Sequence, residues 1–192
     1  MTKKLSGKKV AILSTDGFEQ AELFEPRRAL LEAGADVKVI SLQGGEIKGW
    51  RDGQWGMAIK VDALVSESDA DQFDALMIPG GVMNPDKLRM NEDVIEFVEG
   101  FFHMAKPVAA ICHAPQVLIE TGLVAGKTLT SWRSIKTDLL NAGATWVDKE
   151  VVVDQGLITS RKPADIPAFN RAMIDEFAAG EPSIHPSRAP NH

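Results

Sequence analysis

The stretch Lys106-Pro-Val-Ala-Ala-Ile-Cys-His-Ala-Pro-Gln-Val-Leu-Ile119 decides the architecture. Val108 to Ile111 is short and wholly apolar, as a strand buried on both faces should be. From about Val117 to Thr121 the pattern is helical, and Gly122 supplies the cap. An apolar strand running straight into a helix is the repeating unit of a parallel α/β sheet. Cys112 falls at the joint, and Ala110 and Ala114 flank it two residues to either side. Small-x-nucleophile-x-small is the steric recipe of a nucleophile elbow, a turn so sharp that bulky neighbours collide with the adjoining elements. The first amides of the following helix carry partial positive charge, which predicts a thiol shifted toward thiolate. A free cysteine is also common core filler. The strand end, the small neighbours and His113 favour the functional reading of Cys112.

Outward from this joint the same alternation repeats. Lys9 to Ser14 reads as a strand, Thr15-Asp16-Gly17 as a turn, and Glu19 to about Ala33 as an amphipathic helix ended by Gly34, with Pro26 expected to bend or restart it. Asp36 to Leu42 is the next strand, so the first crossover is right-handed and parallel. Gln43 to Gly56, with Trp50 and Trp55, is an irregular hairpin or excursion leading to a strand at Met57 to Val61. Ala75 to Ile78 is a third core strand, stopped by Pro79-Gly80-Gly81, and Asn91 to Ala105 is a helix. A strand at Thr128 to Ser131, a short helix near Ile135 to Ala142, and a hairpin of Glu150 to Val153 with Leu157 to Ser160 follow. A last helix, Asp165 to Ala178, carries Ile166, Phe169, Met173 and Phe177 on one face. Residues 1–179 are expected to form one domain, and 180–192, with three prolines and no apolar period, a loose tail.

Composition excludes several functions. A 192-residue chain can bury a core of its own. A net charge of −6 offers no polyanion-binding surface, so no nucleic-acid partner is indicated. The apolar run Val10 to Leu13 is too short for a membrane span or a secretion signal, so the expected location is the cytoplasm. One cysteine permits no internal disulfide, and His103, His113, His185 and His192 show no metal spacing. Gly122-x-x-x-Gly126-Lys127-Thr128 has three residues where a phosphate loop needs four. Neither a metal nor a cofactor is expected.

In an open parallel sheet, ligands bind at the carboxyl edge of the strands. Three strand ends there deliver Asp16 to Glu19, Pro79-Gly80-Gly81 and Cys112-His113. Gly80 and Gly81, with the amide of His113, are candidates for an oxyanion hole, though Pro-Gly-Gly can also be only a tight turn. Glu19 is the candidate carboxyl against the Cys112 sulfur, and to stabilise a thiolate it must be protonated. An acid in a first helical turn also needs no reason beyond the dipole. Glu22, one turn on, is the weaker candidate and is expected in solvent. His113 is the candidate base and requires an orienting acid.

Asp16-Gly-Phe-Glu-Gln-Ala-Glu-Leu, Ile78-Pro-Gly-Gly, Val108-Ala-Ala-Ile-Cys-His-Ala-Pro-Gln, Asn141-Ala-Gly-Ala-Thr-Trp-Val-Asp, Glu150-Val-Val-Val-Asp and Thr159-Ser-Arg-Lys-Pro-Ala-Asp together resemble the PfpI-type intracellular protease family of the DJ-one/PfpI superfamily, related to class I glutamine amidotransferases. The likeness runs from about Lys9 to Phe177. It implies a flavodoxin-like three-layer α/β/α sandwich with a mostly parallel central sheet, assembled as a homodimer or higher oligomer. It implies Cys112 as nucleophile, Glu19 as the protonated carboxyl beside it and His113 as the catalytic histidine. An acid from the neighbouring subunit completes such sites, and Asp86 stands at the matching place, where the family's protease has Glu. Ala114 replaces the glycine more usual after Cys-His. Three readings remain open: a stress-protective thiol hydrolase of small carbonyl compounds or carbonyl-modified proteins (deglycase- or glyoxalase-like), an oligomeric peptidase, and a redox sensor that acts through oxidation of Cys112 without turnover.

Overall fold

The computed structural model describes residues 3–180. The tail expected from Gly180 onward therefore lies, beyond its first residue, outside the described residues. In chain order the elements begin with β1 (Lys9–Leu13), β2 (Phe18–Glu19), α1 (Gln20–Glu32) and β3 (Asp36–Ser41). The hairpin β4 (Glu46–Arg51) and β5 (Gln54–Lys60) follows, then β6 (Ala63–Leu64) and β7 (Ala75–Ile78). Next come α2 (Met83–Leu88), α3 (Glu92–His103), β8 (Val108–Ile111), α4 (Pro115–Glu120) and β9 (Thr128–Leu129). The chain closes with α5 (Lys136–Asn141), β10 (Thr145–Trp146), β11 (Val151–Asp154), β12 (Leu157–Ser160) and α6 (Ile166–Ala179).

The central sheet has seven strands in the order β11-β12-β8-β7-β1-β3-β6, and every pairing is parallel except β11 with β12. The expected fold class, a flavodoxin-like sandwich, is what the chain adopts. Period-two alternation explains why the inner strands are apolar throughout. Val10 and Ile12 of β1 enter one core with Phe169, Met173 and Phe177 of α6, whereas Ala11 and Leu13 enter the other with Val94, Val98 and Phe101 of α3. Strand β8 divides likewise, Val108 and Ala110 to one side and Ala109 and Ile111 to the other. Helices α1 and α6 thus cover one face, and α3 and α4 the opposite one.

Three local features add to the sequence reading. The chain runs helically through Pro26 from Gln20 to Glu32; the ring is buried, and the cost is one missing amide donor to the preceding turn. The Trp-bearing stretch is an irregular antiparallel hairpin, its register shifting between Lys48 and Trp50, and its turn is Asp52-Gly53, both with positive φ (49° and 80°), the geometry that suits a two-residue loop. Trp50 and Trp55 face each other across it, ring centroids 5.3 Å apart and nearly perpendicular. Helix α2 was not anticipated, because Pro85 breaks an apolar period, yet Pro85 sits in its first turn, where no amide donor is needed.

Phe169 is fully buried where α6 meets the sheet. Phe169→Ala should lower the unfolding free energy by about 3–5 kcal/mol, read from the shift of the urea midpoint. A loss below about 1 kcal/mol would show that α6 does not close this core.

Candidate active site

Cys112 follows β8 directly with φ 64°, the left-handed region that a non-glycine residue occupies only under constraint. The constraint is visible on both sides. Its N–H donates to Ser160 O (3.0 Å) at the end of β12, and its carbonyl accepts from Trp132 N–H (2.9 Å). The elbow expected from the sequence is therefore present, and it turns the sulfur toward the loops after β1 and β7.

Opposite it stands Glu22, not Glu19. Glu19 occupies the extended residue before α1, and its side chain faces the amides of Gln20 and Ala21 and the charges of Arg51 and Asp52. Glu22, in the first turn, points inward and is completely buried against Cys112. Gly80 N–H donates to Glu22 Oε2 at 3.0 Å, while Oε1 is buried without a hydrogen-bond partner. A Cβ on Gly80 would fall 2.5 Å from Glu22 Oε2, 2.7 Å from Cys112 Cβ and 2.8 Å from Ile111 O, so only glycine fits between acid and thiol. Gly81 (φ 84°) packs as closely on the loop after β1; a Cβ there would meet Gly17 O at 2.5 Å. The Gly80 amide is thus occupied by the carboxyl, and the amides that face the sulfur are those of Gly81 and His113.

Electrostatics revise the expectation of a standing thiolate. Cys112 is only 7% exposed, and burial, followed by the charge and hydrogen bond of Glu22, pushes its thiol up; the Gly81 and His113 amides offset this only in part. Burial also raises Glu22 from 4.5 to about 8. At neutral pH the carboxyl is therefore protonated, and its charge no longer opposes ionisation of the sulfur.

His113 Nδ1 lies 3.3 Å from Cys112 Sγ, and its Nε2 lies 3.2 Å from Ser134 Oγ. The ring stacks on Trp132, centroids 6.0 Å apart at 28°. Burial lowers its pKa, which favours neutral imidazole. Asp86 is exposed on α2 and makes no hydrogen bond or ion pair among the described residues. Sequence reasoning missed Ser134 and also Asn84. The buried Asn84 amide accepts from Thr15 N–H (2.7 Å) and Ser14 Oγ (3.3 Å) and donates to Pro79 O (2.8 Å) and Gly80 O (3.2 Å), fastening the loop after β1 to the turn that holds Glu22. No group of three or more His, Cys, Asp or Glu side chains among the described residues is arranged to hold a metal. No described helix is long and apolar enough to cross a membrane.

The site is a parallel α/β sandwich's strained cysteine after a central strand, with a histidine beside it and a buried acid behind it. The chain belongs to the DJ-1/PfpI family, whose description matches residues 8–176. It is 48% identical over 169 residues to "Putative cysteine protease YraA" of Bacillus subtilis, covering 88% of this chain and 97% of that one. It is 41% identical over 166 residues to "Deglycase PfpI" of Pyrococcus furiosus, covering 86% and 97%. Among solved structures, a two-domain protein of Anabaena variabilis with DJ-1/ThiJ/PfpI-like and ferritin-like domains superposes with a TM-score of 0.84 at 39% identity. That match takes in 95% of this chain and 52% of the larger one.

Between about pH 4.5 and 8 the folded state holds a proton on Glu22 that the unfolded state has released, so stability should fall as pH rises through this window. Glu22→Gln should flatten most of that slope in urea titrations at several pH values, whereas Glu19→Gln should leave most of it. Equal slopes in wild type and Glu22→Gln would contradict the buried neutral acid.

Proposed function

We propose that the protein is a stress-protective cysteine hydrolase of the PfpI type that acts on carbonyl adducts, as a deglycase or glyoxalase-like enzyme. The observation that supports it most is the Glu22–Cys112–His113 cluster, with one thiol, one neutral acid and one neutral base within direct reach. The Cys112 thiol passes its proton to His113 Nδ1 as the sulfur adds to a carbonyl carbon. The amides of Gly81 and His113 are the donors nearest the developing oxyanion. Protonated Glu22 supplies a further O–H to the sulfur side. With free methylglyoxal this addition gives a hemithioacetal. An amine adduct reaches the same hemithioacetal when the sulfur displaces the amine, which takes the proton from His113. Transfer of the C1 hydrogen to C2 through an enediol then gives a thioester, and water hydrolyses it to the hydroxy acid and restores the thiol. The relative named "Deglycase PfpI" supports this choice of substrate class.

Asp86 enters this reading only as a residue of a neighbouring subunit in a homodimer or larger oligomer, oriented toward His113. A redox role is favoured by one observation: Glu22 Oε1, buried and unpartnered beside the sulfur, could hydrogen-bond an oxygen added to Cys112. Peptidase activity is the rival within the same chemistry, and the name of the Bacillus relative belongs to that side.

Cys112→Ala should abolish clearance of methylglyoxal and release of amines from methylglyoxal-treated protein, with the circular dichroism spectrum unchanged. Clearance at the wild-type rate by this variant would refute the hydrolase reading. Loss of casein cleavage without any effect on methylglyoxal adducts would transfer it to the peptidase.

A further inference from the structure

Two motifs of the sequence, Asn141 to Asp148 and Thr159 to Asp165, take no part in the chemistry proposed above, yet the fold brings both to the elbow. The left-handed peptide of Cys112 is gripped from opposite sides, its N–H by Ser160 O at 3.0 Å and its carbonyl by Trp132 N–H at 2.9 Å. Behind each grip stands a residue of one short stretch, Trp146-Val147-Asp148. On the first side, the Arg161 guanidinium donates from Nη1 to Asp148 Oδ1 at 2.7 Å. Its Nε and Nη2 donate as a fork to the two oxygens of Asp165, at 2.8 and 3.1 Å. Ser160, next in the chain to Arg161, is fully buried, and its hydroxyl donates to Glu150 O at 2.5 Å. On the second side, Trp146 Nε1–H donates to Ser131 Oγ at 2.9 Å, and that hydroxyl donates to Trp132 O, also at 2.9 Å. Between the two contacts, Val147 N–H binds Leu129 O at 3.0 Å and fixes the stretch beside β9.

An isolated surface ion pair holds little, because two long side chains must be ordered for a screened attraction. Arg161 differs: the buried Asp165 carboxylate already orders its guanidinium, so Asp148 meets a fixed fork. We propose that Trp146 and Asp148 are positioning residues of the nucleophile: through Ser131 and Arg161 they brace the two peptides that hold Cys112 in its left-handed turn. Among the described residues, neither side chain bonds to Cys112 or His113 themselves. A strained backbone persists only where its surroundings over-determine it. If the brace slackens, the turn relaxes, the sulfur leaves its place 3.3 Å from His113 Nδ1, and the Trp132 ring stacked on that imidazole shifts with it. This inference rests on the reading of Cys112 as the nucleophile, and it can fail separately.

The test uses the intact chain and reads the gripped peptide directly. Cys112 is the only cysteine, so 15N-cysteine labelling gives a single amide NMR signal, that of the N–H bonded to Ser160. Asp148→Asn should shift this signal and speed its hydrogen exchange by about tenfold, with the urea midpoint close to wild type because Asp148 is exposed. Arg161→Lys, which keeps the charge and loses the fork, should do the same. Trp146→Phe, which keeps an aromatic ring and loses the indole N–H, acts on the carbonyl side. Both Asp148→Asn and Trp146→Phe should slow iodoacetamide alkylation of Cys112 at pH 7 by about tenfold, as the sulfur moves off its proton acceptor. Asp148→Glu, which keeps the carboxylate, should restore the amide signal and the alkylation rate. An unchanged signal and rate in Asp148→Asn and Trp146→Phe would overturn the proposal. So would faster alkylation, the mark of a thiol merely exposed, or exchange quickened equally in the amides of β1, the mark of a general loss of stability. Neither readout requires turnover, so inactivity toward methylglyoxal would sink the proposed reaction without touching this assignment.

Discussion

One contact organises this molecule: a protonated carboxyl buried against the only thiol, with a glycine amide bonded to its other side. Burying an ionised acid so deeply would cost far more than a small domain can tolerate, so Glu22 holds its proton instead. That choice fixes its neighbours. Gly80 must lack a side chain, because a Cβ would enter the space shared by Glu22, Cys112 and Ile111. Its amide must point at Glu22, which sets the turn after β7, and Asn84 then binds the carbonyls of Pro79 and Gly80 while holding the loop after β1 in register. Three strand ends are thereby locked to one another through polar atoms that the apolar cores alone could not orient.

Protonation of the acid also decides what kind of nucleophile the cysteine can be. With burial raising the thiol and only two amides opposing it, Nδ1 of His113, 3.3 Å from the sulfur, is the group placed to take its proton in the proposed reaction. The helix after the elbow contributes less than its position suggests. Helix α4 begins at Pro115 and spans six residues, and the amides that favour ionisation belong to Gly81 and His113.

The elbow was legible because its requirements are local: an apolar strand, small flanking residues and a helix start all lie within a few positions of Cys112. The acid was not, because Glu19 and Glu22 sit three residues apart at a helix start, and the choice depends on which residue opens the helix. Glu19 remains extended (φ −63°, ψ 119°) and α1 begins at Gln20, so Glu22 turns inward with Leu23, Pro26 and Leu30. A signal was present: Glu22, Pro26 and Leu30 share the i, i+4, i+8 spacing of a buried stripe, and a lone acid in such a stripe requires a partner. Asn84 was hidden with the unanticipated α2, and Ser134 by distance, since nothing in the sequence brings an exposed 3-10 turn beside residue 113.

Such a site opposes the stability of the fold that carries it. The left-handed backbone at Cys112 stores on the order of 1–3 kcal/mol, and it persists because Ser160 and Trp132 hold the peptide from both sides. Glu22 adds a second cost that grows as pH rises toward its raised pKa. Both are met by a sheet whose inner strands are covered on two faces, and both vanish in a chain with glycine at 112 and glutamine at 22. Such a chain would keep the fold and gain stability, but it would have no thiol and no acid proton. Retention of strain and of a buried acid on the same few atoms is therefore the strongest physical argument that this end of the sheet was shaped by chemistry and not by packing.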